Sequence, residues 1–372
     1  MDQRELFDIP DDVAWLNNAY MAPELRTVKA ASEWGFRRKA QPWRISTEDF
    51  FAPSDRLREL VAQTCGARAG DIALVSSVSY GIETAVKNTR LGAGQNVVLL
   101  AEQFPSNVYP WTEAARAAGA TVRFAPRSER PLTEEVLERV DENTAAVSVP
   151  EIHWTDGERL DLRQIRKATR TVGAKLVLDL TQSLGAMPFN VQEVDPDFAV
   201  AAGYKWLFGP YGLAYLYVAP RNQDGRPVEH NWITRDQAEN FAELVHYRDG
   251  YAPGARRFDV GERSNFVLVP MAIAALEQLH AWGIESLYEQ LTAGTVAIAE
   301  RAEALGFNSR PVSARGGHYL GLTRADLDPG ALASALREEK IFVSVRGESI
   351  RVTPHVYNRP ADVDRFIEAI AR

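Results

Sequence analysis

The sequence predicts an α/β fold built on a mostly parallel sheet, and three observations predict it. Seven short β-rich apolar runs lie between positions 71 and 218, amphipathic stretches of helical period separate several of them, and the runs are continuously apolar rather than alternating. A strand that is apolar throughout is covered on both faces, and helical crossovers supply that cover.

In chain order the predicted strands are DIALVSS (71–77), NVVLLA (96–101), TVRFAP (121–126), AAVSVP (145–150), KLVLDL (175–180), DFAVAAG (197–203) and GLAYLYV (212–218). Crossover helices are expected over 80–91, 107–118, 133–140 and 162–172, each amphipathic and long enough to carry the chain back across the sheet. Residues 219–265 mix charge, glycine and aromatic residues with weak periodicity and read as loops and short elements. A helical pattern then starts near Pro270, a residue suited to a first turn, and continues past a break at Gly283 to about Leu305. HYLGLT (318–323), IFVSV (341–345) and SIRVT (349–353) read as strands, with helices over 329–338 and 361–371. The expected division is an N-terminal arm (1–15), a large domain (16–264) and a smaller C-terminal α+β domain (265–372).

Composition narrows the partners. With 372 residues, 45% hydrophobic and 25% charged, the chain is ordinary globular material of two-domain size. A net charge of −8 argues against nucleic acid or an anionic membrane as the main partner, leaving a small molecule. The opening MDQRELFDIPDD lacks the basic start and apolar core of a secretory signal, and no apolar run reaches membrane-spanning length, so a cytoplasmic protein is expected. The one cysteine, Cys65, excludes an internal disulfide and a cysteine metal cluster, and no metal is expected.

Ligands of such sheets bind at the carboxyl ends of the parallel strands, and four predicted strand ends carry functional groups. LVSSVSYGIET enters a helix through Ser76, Ser77, Ser79 and Gly81, a loop able either to hold an anion or simply to cap the helix. LVLDLTQS ends on Asp179, with Gln182 three residues on, and NVVLLAEQFPSN ends on Phe104, Ser106 and Asn107. FAVAAGYKW ends on Lys205, an ammonium set among apolar and aromatic residues, where losing water is costly unless the group gives up its charge. Taken singly, each residue has a structural explanation as a cap, a turn or a snorkelling side chain. Taken together, they match the needs of pyridoxal 5′-phosphate (PLP): an anion pocket, a carboxylate for the pyridine nitrogen, a donor for the phenolic oxygen, a ring on its face and a largely desolvated lysine.

LVLDLTQSLGAMPFNV and AAGYKWLFGPYG, with VAWLNNAYMAP (13–23) and SIRVTPHVYNRPADVDRF (349–366), resemble the class V aminotransferase family of fold-type I PLP enzymes. That family includes cysteine desulfurases, kynureninases and isopenicillin N epimerase-like proteins. The resemblance implies Lys205 as the aldimine lysine and proton shuttle, Asp179 at the pyridine nitrogen and Gln182 at the phenolic oxygen. It implies Val78, Ser79 and Tyr204 at the phosphate, Phe104 stacked on the ring, Asn107 as a polar substrate contact and Arg351 on the substrate α-carboxylate. It also implies a homodimer with shared sites, in which Ser264 and Asn265, and more weakly Trp232, serve the neighbour's site. Two departures stand out. Ala202 occupies a position where many members carry a phosphate-binding hydroxyl, and the few residues between IFVSV and SIRVT hold no cysteine of the desulfurase kind.

The expected activity is that of an aminotransferase or C–X lyase acting at Cα of a small amino acid through an external aldimine. Epimerisation and a catalytically silent PLP-binding protein are the alternatives. His153 and Trp154 either line the pocket or belong to an ordinary turn made by Asp156 and Gly157. A nicotinamide-dependent oxidoreductase is discounted, because the one near match to a dinucleotide fingerprint, GAGQNV (92–97), precedes a strand and lacks the third glycine.

Overall fold

The computed structural model describes residues 3–372. All seven predicted runs join one sheet, as strands Ile72–Val75, Asn96–Leu100, Thr121–Ala125, Thr144–Pro150, Lys175–Asp179, Phe198–Ala202 and Ala214–Val218. Named by first residue, their order across the sheet is Ile72, Ala214, Phe198, Lys175, Thr144, Asn96, Thr121. Ala214–Val218 runs antiparallel to both neighbours, and the other pairings are parallel.

Alternate side chains serve two cores. Ile72, Leu74, Val98 and Leu100 point to one face, packed under helices Ala52–Cys65 and Leu268–Trp282, while Ala73, Val75, Val97 and Leu99 point to the other with Ile82, Trp111 and Phe258. Helix Val78–Lys87 lies close on the second face because Gly81 has no side chain: a Cβ there would meet Val200 Cγ2 at 2.6 Å. The crossover helices expected from the sequence appear as Val78–Lys87, Tyr109–Ala118, Leu132–Leu137 and Leu162–Val172.

The predicted helix starting near Pro270 is two helices, Leu268–Trp282 and Ile284–Glu303, parted at Gly283, whose φ is +78°. The first buries Val269, Met271, Ala272, Ala275, Leu276 and Leu279 in the core of the large sheet. A separate core gathers Ile298, Ala302, Leu320, Leu322, Ile350, Val352 and Phe366, and it takes in Ala14 and Leu16 from the N-terminal segment. Its antiparallel sheet has the order Ser344–Arg346, Ser349–Val352, Leu320–Thr323, Asn308–Ser309. The expected strand 341–345 divides: Ile341–Phe342 pairs in parallel with Ala14–Trp15, and Ser344–Arg346 turns into the four-stranded sheet.

Candidate active site

Five loops meet at the carboxyl ends of the parallel strands and enclose a cavity of about 210 Å³. Its walls include Ser76–Ser79 after the first strand, Phe104 and Ser106 after the second, Trp154 after Thr144–Pro150, Asp179 to Gln182 after Lys175–Asp179, and Ala202 to Lys205 after Phe198–Ala202.

The loop bearing Lys205 is fixed by its backbone. Gly203 N–H donates to Leu213 O at 2.9 Å, Gly209 N–H donates to Gly203 O at 2.8 Å, and Gly212 turns the chain at a φ of +97°. Phe208 adopts a left-handed φ of +54° within the same turn, a conformation uncommon for a bulky residue. Lys205 is 7% exposed, and its ammonium lies 5.5 Å from the ring centroid of Phe104 and 5.6 Å from that of Tyr204. Burial, reinforced by the positive charges of Arg351 and Arg346 and opposed by Asp179, brings its pKa down to about 7.

Asp179 ends the neighbouring strand, buried, and accepts from Thr181 N–H at 3.0 Å. Burial pushes its carboxyl above the usual range, and no cation lies within ion-pair distance of it among the described residues. Arg351 presents the converse case. It is 1% exposed, donates from Nη1 to Trp154 O and Tyr319 Oη at 3.2 Å each, and has no carboxylate partner among the described residues. A buried anion lacking a cation and a buried cation lacking an anion fit a ligand that brings both, as a pyridinium ring and an amino-acid carboxylate do.

A family model described as Aminotransferase class-V matches residues 46–366. The chain belongs to the class-V aminotransferase family. Pyridoxal phosphate is therefore its cofactor, and the chain is a PLP-dependent enzyme of the aminotransferase and lyase group. An uncharacterized aminotransferase, YcbU of Bacillus subtilis, is 27% identical over 84% of this chain and 82% of its own length. The kynureninase of Deinococcus radiodurans is 32% identical over 70% of this chain, and the match spans 64% of that enzyme. Among solved structures, a C-DES mutant with glycine covalently linked to its PLP cofactor superposes with a TM-score of 0.91 at 18% identity, covering 100% of this chain and 99% of that one. The cysteine desulfurase of Thermococcus onnurineus gives 0.84 at 19% identity, covering 98% and 95%. These structural likenesses establish the fold.

Of the residues assigned by resemblance, Val78, Ser79, Phe104, Asp179, Gln182, Tyr204 and Lys205 line the cavity of this class-V chain. Ser79 Oγ donates to Ser106 Oγ at 2.9 Å, and Ser77 caps the helix by accepting from Tyr80 N–H at 3.2 Å. Gln182 is held on both sides: its Nε2 donates to Ala19 O at 3.2 Å and its Oε1 accepts from Trp206 Nε1–H at 2.9 Å. Burial raises the Tyr204 hydroxyl pKa to about 12, so it stays a donor.

Other candidates sit elsewhere. Asn107 is fully buried outside the lining, where its Oδ1 accepts from Ser148 Oγ–H at 2.6 Å. His153 is also fully buried, bonded to Thr155 Oγ1 at 2.7 Å, and burial lowers its pKa to about 4. Its neighbour Trp154 does line the cavity, with Phe104 edge-on at 5.3 Å between ring centroids. Ser264 donates to Phe50 O, and Asn265 Oδ1 caps helix Leu268–Trp282 by accepting from Val267 and Leu268 N–H. Both line a separate small pocket with Trp34, Arg38 and Asp49. Trp232 packs edge-on against Phe50 and Phe241.

Residues not singled out in the sequence also form the wall: Gln103, Ile152, Thr181, Tyr211 and Leu213. Thr181 Oγ1 accepts from Ala202 N–H at 3.2 Å, and the Tyr211 ring lies 4.6 Å from that of Tyr204. The sequence signals were present, a hydroxyl directly inside Asp-Leu-Thr-Gln and an aromatic residue inside Gly-Pro-Tyr-Gly.

Proposed function

We propose that this chain is a PLP-dependent aminotransferase or C–X lyase acting at Cα of a small amino acid, with Lys205 holding the cofactor and moving the Cα proton. The observation that carries this reading is the buried amine of Lys205, in one cavity with Asp179, 5.5 Å from the Phe104 ring centroid and brought to a pKa of about 7. When bound, pyridoxal phosphate supplies a conjugated ring that spreads negative charge developing at Cα.

The chain's own groups do the rest. The Ser76–Ser79 turn, at the N-terminus of Val78–Lys87, offers hydroxyls and N–H groups to a phosphate, and Tyr204 adds a phenol. Asp179 would hold the proton on a ring nitrogen, a contact that would stabilise its charged form, which burial penalises. Phe104 would cover the ring face, and Gln182 presents an amide whose orientation Ala19 and Trp206 fix. Arg351 takes the substrate α-carboxylate in a fork. Lys205, half neutral near pH 7, accepts the Cα proton and returns it. Ile152, Trp154 and Leu213 exclude water.

Desulfurase chemistry is disfavoured by one observation: the thiol of Cys65, the chain's one cysteine, is buried, and burial pushes its pKa up to about 12, so it supplies no thiolate. The reading includes a homodimer with shared sites in the cytoplasm. It is supported by the turning of Ser264 and Asn265 away from their own cavity, and by exposed aromatic residues such as Trp43 and Tyr247. No helix among the described residues is long and apolar enough to cross a membrane.

Absorbance tests the reading. Protein reconstituted with pyridoxal phosphate is expected to be yellow and to change spectrum with amino acids, while Lys205→Ala loses the covalent cofactor band. A Lys205→Ala protein with the parental spectrum overturns the assignment. Single-turnover spectra then separate transamination, which leaves a pyridoxamine form, from elimination, which releases pyruvate and ammonia without one.

A further inference from the structure

Behind Trp154, a wall residue of the cavity, stands a second arginine that the reaction above does not use. Arg346 and Arg351 lie on the paired strands Ser344–Arg346 and Ser349–Val352, in which Ser344 faces Arg351 and Arg346 faces Ser349. Because side chains alternate along a strand, Ser344 and Arg346 share a face, and cross-strand partners share it too. The two guanidiniums are therefore diagonal neighbours on one face of the hairpin, and Arg351 Nη2 reaches Ser344 Oγ at 3.5 Å.

Both bear on Trp154, the wall of the cavity. Arg351 Nη1 bonds its carbonyl oxygen at 3.2 Å, and the Arg346 Cζ stands 5.2 Å from its ring centroid. The one hydrogen bond of Arg346 among the described residues runs from Nη1 to Val345 O at 2.7 Å, and its Nε is buried without a partner. No carboxylate lies within ion-pair distance of either arginine among the described residues. Nearby acids exist but are taken: Asp156 pairs with Arg127 and Arg310, and Glu158 pairs with the same two. Both arginines are close enough to Lys205 to depress its pKa, an effect that Asp179 opposes.

We propose that Arg346 is a specificity residue that binds a second oxyanion, so that the preferred substrate is an amino acid with an anionic side chain. This inference rests on the proposed reading of the site as one acting at Cα. Arg351 holds the α-carboxylate, and Arg346, past Trp154, meets a side-chain carboxylate or sulfinate. Two neighbouring guanidiniums without carboxylate partners raise each other's energy, and a substrate carrying two anionic groups relieves that repulsion where a neutral side chain does not. The alternative role for Arg346 is to brace Trp154 by cation–π contact, which would serve all substrates equally.

The test compares PLP-loaded parent, Arg346→Gln and Arg346→Lys by spectral titration and kcat/KM on aspartate, glutamate, cysteine sulfinate and alanine. Aspartate and glutamate against cysteine sulfinate distinguish a carboxylate from a sulfinate as the second group. The parent is expected to prefer a dianionic amino acid over alanine. Arg346→Gln is expected to lower that preference at least tenfold through KM, and Arg346→Lys to keep part of it. An equal loss on alanine and the dianionic amino acids, or a parent that favours alanine, overturns the inference while leaving the reading of the site intact. No spectral response to any amino acid overturns both.

Discussion

At the scale of single residues, the deciding fact is that burial acts on Lys205 and Asp179 in opposite senses and pushes both toward neutrality. The Lys205 amine has a folded-state pKa of about 7, below its ordinary value of 10.5. The folded, cofactor-free protein therefore bears the full penalty of a buried ammonium below pH 7, and the penalty fades as pH rises toward 10.5. Replacing Lys205 with methionine removes it. Cofactor-free Lys205→Met is expected to exceed the cofactor-free parent in stability by about a few kcal/mol at pH 6, with the gap shrinking by pH 10. Melting temperatures of the two proteins across that range check this, and a gap that widens with pH would show that the amine is not desolvated. The same residues show what a sequence discloses. Lys205 is conspicuous because one charge stands in an apolar run, whereas Thr181 is not, because its use depends on Ala202 N–H arriving from the next strand.

At the scale of elements, one carboxylate ties three of them together. Asp259 accepts from Leu74 N–H at 2.8 Å, from Arg58 Nη1 at 3.0 Å and Nη2 at 2.5 Å, and lies 2.9 Å from Arg263 Nε, with all three charged side chains buried. It thereby joins strand Ile72–Val75, helix Ala52–Cys65 and the segment leading to Ser264. Asp259→Asn removes the carboxylate paired with buried Arg263 and leaves buried Arg58 with only Asp55 Oδ1 at 3.4 Å, and a loss of about 3–5 kcal/mol in unfolding free energy is expected, read as a lowered urea midpoint at an unchanged slope. Nothing in the sequence announces this triad, since Arg58 stands 201 positions from Asp259, although Arg263 is only four residues on. Most of the seven strands were legible because they are apolar and buried on both faces, whereas the edge strand Thr121–Ala125 is largely exposed and shows itself by its β-rich composition alone. Helix Arg26–Lys39 was not, because it buries only Val28 and Gly35 and so presents no apolar stripe. Helix Ala52–Cys65 carries a usable pattern in Leu57, Leu60 and Val61, closed by Gly66 at a φ of +68°, that the strand-centred reading passes over. Asn107 stands in the expected stretch, but a distinction between lining the cavity and bonding Ser148 beneath it depends on where the loop rests, which strand patterns do not convey.

At the scale of the whole molecule, the placement of Ser264 and Asn265 makes a claim about stoichiometry. In one chain they line a pocket apart from the Lys205 cavity, so a cofactor role for them requires a second copy. Asn265 complicates the obvious substitution, because its Oδ1 caps helix Leu268–Trp282 and alanine would cost about 1 kcal/mol of helix stability in addition to any effect on a site. Asn265→Asp keeps the capping oxygen and adds a negative charge, which repels a phosphate at a neighbour's site and leaves the helix in place. Asn265→Asp and Lys205→Ala are each expected to lose activity as homodimers. Co-refolded in equal amounts, they form mixed dimers in which both lesions fall on one site and the other site is intact. Random pairing then restores about a quarter of the parental activity, since half of the dimers are mixed and each has one good site of two. Recovery of that order, with a dimer mass in solution, supports shared sites. Without recovery in a verified mixed dimer, Asn265 acts within its own chain, and the assignment across the interface fails.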